Sequence, residues 1–163
     1  LPFDPCAADS APELYASILR RLVSEKQVEY GELTYFGDTR YSARGMAIRR
    51  RLERAAERLF AERLKMPADV YEGPAMNHTY HEMIIGHGKC FSTVLLSESV
   101  DQYPAARYSP DYHLAQFLAT QMALSERGRP VVSVTLRDTG DESLRALEDF
   151  FHRAAQALKA RVV

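Results

Sequence analysis

The chain reads as an α/β protein, a three-layer α/β/α sandwich around a mostly parallel sheet. Three observations predict it. Apolar strand-like runs alternate with amphipathic helical stretches along the chain. No two of those runs are joined by a tight hairpin turn, so the connections are crossovers and the pairing is parallel. The run from Cys90 to Leu96 is nearly continuous in apolar residues, as strands covered on both faces are.

Taken in order, residues 1–11 are rich in Pro, Asp and Ala and read as an N-terminal arm, with one domain over 12–163. Pro12, after Ser10, opens a helix over 13–26 with Leu14, Ile18, Leu19 and Leu22 on one stripe. Residues 28–36 form a strand interrupted near Gly31, and Gly37-Asp38-Thr39 turns the chain. From Ser42 or Ala43 to Leu64 runs the longest helix, with Met46, Leu52, Ala55, Ala56, Leu59 and Phe60 at helical spacing until Pro67 stops it. Residues 68–71 are a short second strand, and 90–96 a third. Residues 111–127 form a helix with Leu114, Phe117, Leu118, Met122 and Leu124 inward, ended by Gly128. Residues 131–136 are the fourth strand. A last helix, capped by Asp141 or Ser143, carries Leu144, Leu147, Phe150, Phe151, Ala154 and Leu158.

Composition narrows the class without naming a function. At 163 residues, 46% hydrophobic and 26% charged, the chain can bury a core and is not of disordered type. Its net charge of −1 exerts no global pull on nucleic acid or an anionic membrane. No apolar run approaches the ~20 residues needed to span a bilayer. The first residues lack an initiator Met and the apolar core of a signal peptide, which suggests a segment of a longer natural chain. Cys6 and Cys90 show no spacing that argues for a disulfide, so thiols in the cytoplasm are expected.

The chemistry concentrates between Asn77 and Cys90, where three of the five histidines, an acid and a cysteine fall within fourteen residues. Ionisable groups at the mouth of a buried strand are where α/β proteins keep their reactive groups.

Several short motifs resemble the sugar-isomerase (SIS) domain family. The run Tyr35-Phe36-Gly37-Asp38-Thr39-Arg40-Tyr41-Ser42-Ala43, a long helix, then Pro67-Ala68-Asp69-Val70-Tyr71-Glu72 is similar to that family's opening strand, Gly turn, helix and "Ala-x-x-Tyr" strand. Thr93-Val94-Leu95-Leu96-Ser97-Glu98-Ser99 resembles its strand and Ser-rich phosphate loop. Residues 125–135 resemble its Gly-containing passage from helix to strand. Asn77-His78 with Glu82 resembles the Asn-His-x-Glu loop of phosphoglucose/phosphomannose isomerases, and the domain of glucosamine-6-phosphate synthase belongs to the same kind.

The resemblance implies a phosphorylated sugar or similar polar metabolite as ligand, and an aldose–ketose isomerase if the domain is catalytic. Glu82 would be the proton-shuttling base, His81 or His78 the ring-opening group, and Glu72 a reserve base at a strand end. Thr39, Ser42, Ser97 and Ser99 would meet phosphate oxygens, with Arg40 the nearest guanidinium. The phosphate loop departs from the family: Ser97-Glu98-Ser99-Val100-Asp101 has no Gly and adds two carboxylates that oppose a dianion. A non-catalytic binding module would use the same cleft.

A second reading takes His78, His81, His87 and Cys90 as ligands of Zn²⁺ or a similar ion; their order is not that of the His-Glu-x-x-His helix. In the first reading neither metal nor organic cofactor is called for. The seven arginines between Arg40 and Arg58 can grip a phosphate backbone, but the interleaved Glu53 and Glu57 favour a solvated face of i,i+4 pairs. Tyr103, Tyr108, Tyr112 and His113 read as rings packed at a sheet edge, His152 as a half-buried helix residue, and Cys90 as a small hydrophobe. Leu and Phe left exposed on the terminal helices predict a homodimer. The sharpest expectation is a single cleft at the carboxyl ends of the strands, holding Thr39, Arg40, Ser42, Ser97 and Ser99 together with His78, His81 and Glu82.

Overall fold

The computed structural model describes residues 8–75, 82–83, 86–99 and 111–159. Helix α1 (Ala11–Ser24) carries Pro12 in its first turn, where a missing N–H breaks no helical bond, and buries Tyr15, Ala16, Leu19 and Leu22. Strand β1 (Tyr30–Phe36) begins two residues later than the sequence suggests. Ser42 caps α2 (Ala43–Ala56), its Oγ accepting the Gly45 N–H at 2.9 Å.

The expected single helix to Leu64 changes its winding after Ala56, and Glu57–Leu64 forms a π-helix. This wider turn seats Phe60 over Gly31, where an added Cβ would fall 2.5 Å from the ring. Gly31 therefore does not interrupt the strand; it makes room for Phe60. Lys65, at φ 54°, ends the π-helix in the left-handed region, and the Met66 N–H returns to the Phe60 carbonyl at 3.0 Å.

Strands β2 (Ala68–Gly73), β3 (Cys90–Ser97) and β4 (Val131–Leu136) complete the sheet, with α3 (Asp111–Glu126) before β4 and α4 (Asp141–Lys159) after it. Gly128, at φ +64°, follows α3, and the Arg129 N–H closes back on the Leu124 carbonyl. The four strands run in the order β2-β1-β3-β4, and every pairing is parallel. The three-layer α/β fold is thus as the alternation of elements requires.

One face of the sheet holds the main core. Leu33 and Tyr35 of β1, Phe91 and Leu95 of β3 and Leu136 of β4 pack against α1, α2, the π-helix and α4. Tyr15 meets Phe91, Phe150 and Phe151 edge to face, with ring centroids 5.4–5.9 Å apart. The buried Tyr15 hydroxyl is paired with Thr93 Oγ1 at 2.8 Å. On the other face, Phe36, Val94 and Leu96 gather around Phe117 of α3, and Cys90 packs on Leu124.

Two expectations need correction. Leu19, Leu22, Leu144, Leu147 and Phe151 of the terminal helices are buried, because α1 and α4 pack on each other as well as on the sheet. In α3 only Phe117, Thr120 and Leu124 are buried; Leu114, Leu118 and Met122 face outward. Among the described residues no helix is long and apolar enough to cross a membrane.

Candidate functional site

The strand order makes the chain reverse direction beside β1: α2 lies on one face of the sheet, α3 on the other. In such sheets the loops leaving the two strands at the reversal diverge and open a crevice at their carboxyl ends. Here those strands are β1 and β3, and the loops are residues 37–42 and 97–99. Thr39, Arg40, Ser42, Ser97 and Ser99 therefore share this edge of the sheet.

Their hydrogen bonds are directed inward. The Asp38 carboxylate accepts the N–H groups of Arg40, Tyr41 and Ser42, each at 2.8 Å. Burial pushes the Asp38 carboxyl up, but the Ser42 hydroxyl and the three N–H groups outweigh it and hold the group below its ordinary range. A backbone nest of this kind is what a phosphate loop offers to its ligand. In this chain the nest holds its own anion. Gly45 allows the arrangement, since an added Cβ would lie 2.7 Å from an Asp38 carboxylate oxygen.

Glu72, at the end of β2, organises the next residue. Its Oε2 accepts both the N–H of Thr39 at 2.7 Å and its hydroxyl at 2.8 Å, and Arg40 Nε lies 3.7 Å from Oε1. The Glu72 side chain is 12% exposed, so it remains in reach of a small ligand. His113 of α3 stands in its field: burial pushes the imidazole down, while the Glu72 charge pulls it up. Ser97 Oγ donates to the Ser99 carbonyl at 2.9 Å. Arg44 donates to the Thr139 carbonyl at 2.8 Å, linking the loop after β1 to the loop after β4. In that second loop Asp138 is held below its ordinary range by the Ser143 hydroxyl, the Gly140 N–H and Arg137.

The end of the histidine segment stands at the opposite edge. His87 Nε2 lies 2.7 Å from Glu29, and Lys89 Nζ 3.2 Å from the same carboxylate, which both hold below its ordinary range, Lys89 the more. Met83 and His87, with Glu29, Tyr30, Pro67 and Cys90, line a cavity of about 520 Å³ at the amino ends of β1 and β3. Ser97 is seven residues further along β3, about 23 Å away at the rise of a strand. The exposed Glu82 adjoins Met83 in the chain. The expected single cleft is therefore two separate regions for the residues that are described; His78 and His81 lie outside them, as do Tyr103 and Tyr108.

Of the four residues expected as metal ligands, only His87 and Cys90 are among those described. Among the described residues no three His, Cys, Asp or Glu side chains gather as a metal site. His87 is engaged by Glu29, and the Cys90 thiol is buried, facing Glu32 at 3.9 Å and pushed well up by burial and that neighbour. The arginines of α2 are largely in ion pairs: Arg49 with Glu53, and Arg51 and Arg54 with Glu148 of α4.

A buried polar cluster was not anticipated. Glu32, in the middle of β1, is fully buried; it accepts the hydroxyls of Thr34 and Ser92, the latter at 2.8 Å. Burial pushes its carboxyl up, more than these donors and Cys90 lower it. The signal was the alternation of Glu32 and Thr34 within an otherwise apolar strand, which puts two polar groups on one face.

Comparison with known proteins speaks for the fold. A hypothetical protein from Thermus thermophilus, known from its crystal structure, matches with a TM-score of 0.61 at 14% identity. The match covers 91% of this chain and 39% of that one, so this chain spans well under half of that protein's length. No family model matches the chain. No curated protein matches it either.

Proposed function

We propose that the chain is a metabolite-binding α/β domain whose ligand, a sugar-like polyhydroxy compound, sits at the carboxyl edge between residues 37–42 and 97–99. The observation that carries this reading is Glu72, a mostly buried carboxylate that braces Thr39 and Arg40 beside the point where the strand order reverses. The fold class and this position are compatible with the sugar-isomerase resemblance. If the domain is catalytic, aldose–ketose isomerisation remains the reaction, with Glu72 as the proton-shuttling base and His113 as the acid that opens the ring. Glu82 does not serve in this version, because the adjoining Met83 lines the cavity at the other edge.

The phosphate of the expected ligand is less well supported than its hydroxyls. Asp38 fills the N–H nest, Arg40 faces Glu72, and Arg137 faces Asp138 and Glu142. Carboxylates braced in this way accept hydroxyl and amine donors, so a neutral or amino sugar is the preferred ligand. The buried thiol of Cys90 supports a reducing compartment, the cytoplasm. A thermal-shift screen of aldoses, amino sugars and their phosphates tests the reading. An unphosphorylated compound should raise the melting temperature of the native protein and lose that effect in Glu72→Gln. A shift that requires the phosphate and survives Glu72→Gln would refute it.

A further inference from the structure

Helix α3 has too little polarity for the exposure it shows. Between Asp111 and Glu126 it contains no Asp, Glu, Lys or Arg, and its apolar residues run all round the helix. A helix of that kind is covered on both sides in its working state. Phe117, Thr120 and Leu124 face the sheet. Opposite them Leu114, Leu118 and Met122 repeat every fourth residue and are 42%, 48% and 60% exposed. Ala115 and Ala119 lie beside this stripe and let another backbone come close.

We propose that α3 is the centre of a two-fold dimer of this chain, packed antiparallel against α3 of a second copy. Four features favour a second copy over an unrelated partner. The face carries no charge over four turns, so doubling it brings no like charges together. Antiparallel packing opposes the two helix dipoles. It also sets the exposed Asp111 of one copy against the carboxyl end of the other, where Arg127 and Arg129, just past the helix, outnumber Glu126. The stripe is symmetric about Leu118, as a two-fold contact requires: Leu118 lies at the axis and Leu114 faces the partner's Met122. Three side chains are the centre of an interface and not all of the ~800 Å² that each partner in a stable complex buries. The edge strand β4, with Ser133 and Thr135 exposed on the same side, supplies the margin.

Light scattering at micromolar concentration should give twice the 18.5 kDa of one chain. Leu118→Glu should halve that mass with an unchanged far-ultraviolet dichroism spectrum. Independently, Leu118→Cys in a Cys6→Ser background should form a disulfide-linked dimer under mild oxidation, whereas Ala146→Cys on α4 should not. A monomeric native chain overturns the proposal. So does a dimer that survives Leu118→Glu, which would place the contact on another face or with another segment. Should Leu118→Glu fail to fold, absence of the Leu118→Cys cross-link is the overturning result.

Discussion

Leu33, Phe91 and Leu95, on one face of the sheet, share a cluster with side chains of α1, α2, the π-helix and α4, whereas Glu32, Thr34, Ser92 and Cys90, on the other, meet chiefly one another. Both sets are buried, and they alternate along the same two strands. The first face obtains its stability from close packing of rings and branched chains, where any lost volume leaves a cavity. The second tolerates polar groups because each finds a partner within the cluster, and it has the single described helix α3 above it. The buried carboxyl and thiol of these two strands thus lie on the side with the thinner cover, whereas the main-core face admits the hydroxyl of Thr93, paired with Tyr15 of α1.

Neighbouring residues of β3 give the most direct way to break this comparison. Leu95 is fully buried in the main core and Leu96 is 5% exposed on the other face. Leu95→Ala should cost near the top of the ~2–5 kcal/mol range for such truncations and Leu96→Ala near the bottom, read from urea unfolding. Equal costs would mean that the two faces are packed alike. A smaller effect is expected from Gly31→Ala, whose new methyl meets the Phe60 ring; overpacking of this kind costs about 1–3 kcal/mol. Combining it with Phe60→Leu should recover part of the loss, and no recovery would show that the strain lies elsewhere.

The third test sharpens the comparison through pH. The folded chain keeps a proton on Glu32 that the unfolded chain releases once pH passes the ordinary carboxylate range. The stability linked to this group is therefore fully present below that range and falls as pH rises above it. Glu32→Gln removes the linkage, so its melting temperature should exceed that of the native chain at pH 8 and converge with it near pH 4. A gap of 1 kcal/mol corresponds to about 2–4 °C for a chain of this size. Parallel melting curves from pH 4 to pH 8 would show that Glu32 is not held neutral.

The fold was legible because its signals are local. Residues 131–136 are bounded by Pro130 and Asp138, and β4 has those limits; β3 runs one residue beyond the expected Leu96. The inward face of α3 was not legible, since apolar residues all round a helix give periodicity no direction to report. Neither was the π-helix, which depends on how Phe60 seats over a strand some thirty residues earlier. At the site, topology placed Thr39, Arg40, Ser42, Ser97 and Ser99 at one edge. Spacing could not show that Asp38 and Glu72 would engage that loop from within the chain. His87 was misplaced for a reason that was available: a connection between parallel strands must return from the carboxyl edge to the amino edge. Residues just before β3 therefore belong at the far end from Ser97.

The strand registers have a kinetic consequence. Gly31 pairs with Ala68, Tyr30 with Cys90 and Ser92 with Val131, so none of the three pairings joins residues close in sequence. Long-range parallel pairing carries its loop-closure entropy before any contact repays it, which places such chains among the slower folders. During synthesis β1 emerges long before β3 exists to cover its second edge. Until then Glu32 is solvated and ionised, and the central strand of the finished sheet is an edge. Burial of Glu32 on folding is thus linked to proton uptake, and refolding followed by stopped flow should slow as pH rises above the ordinary carboxylate range.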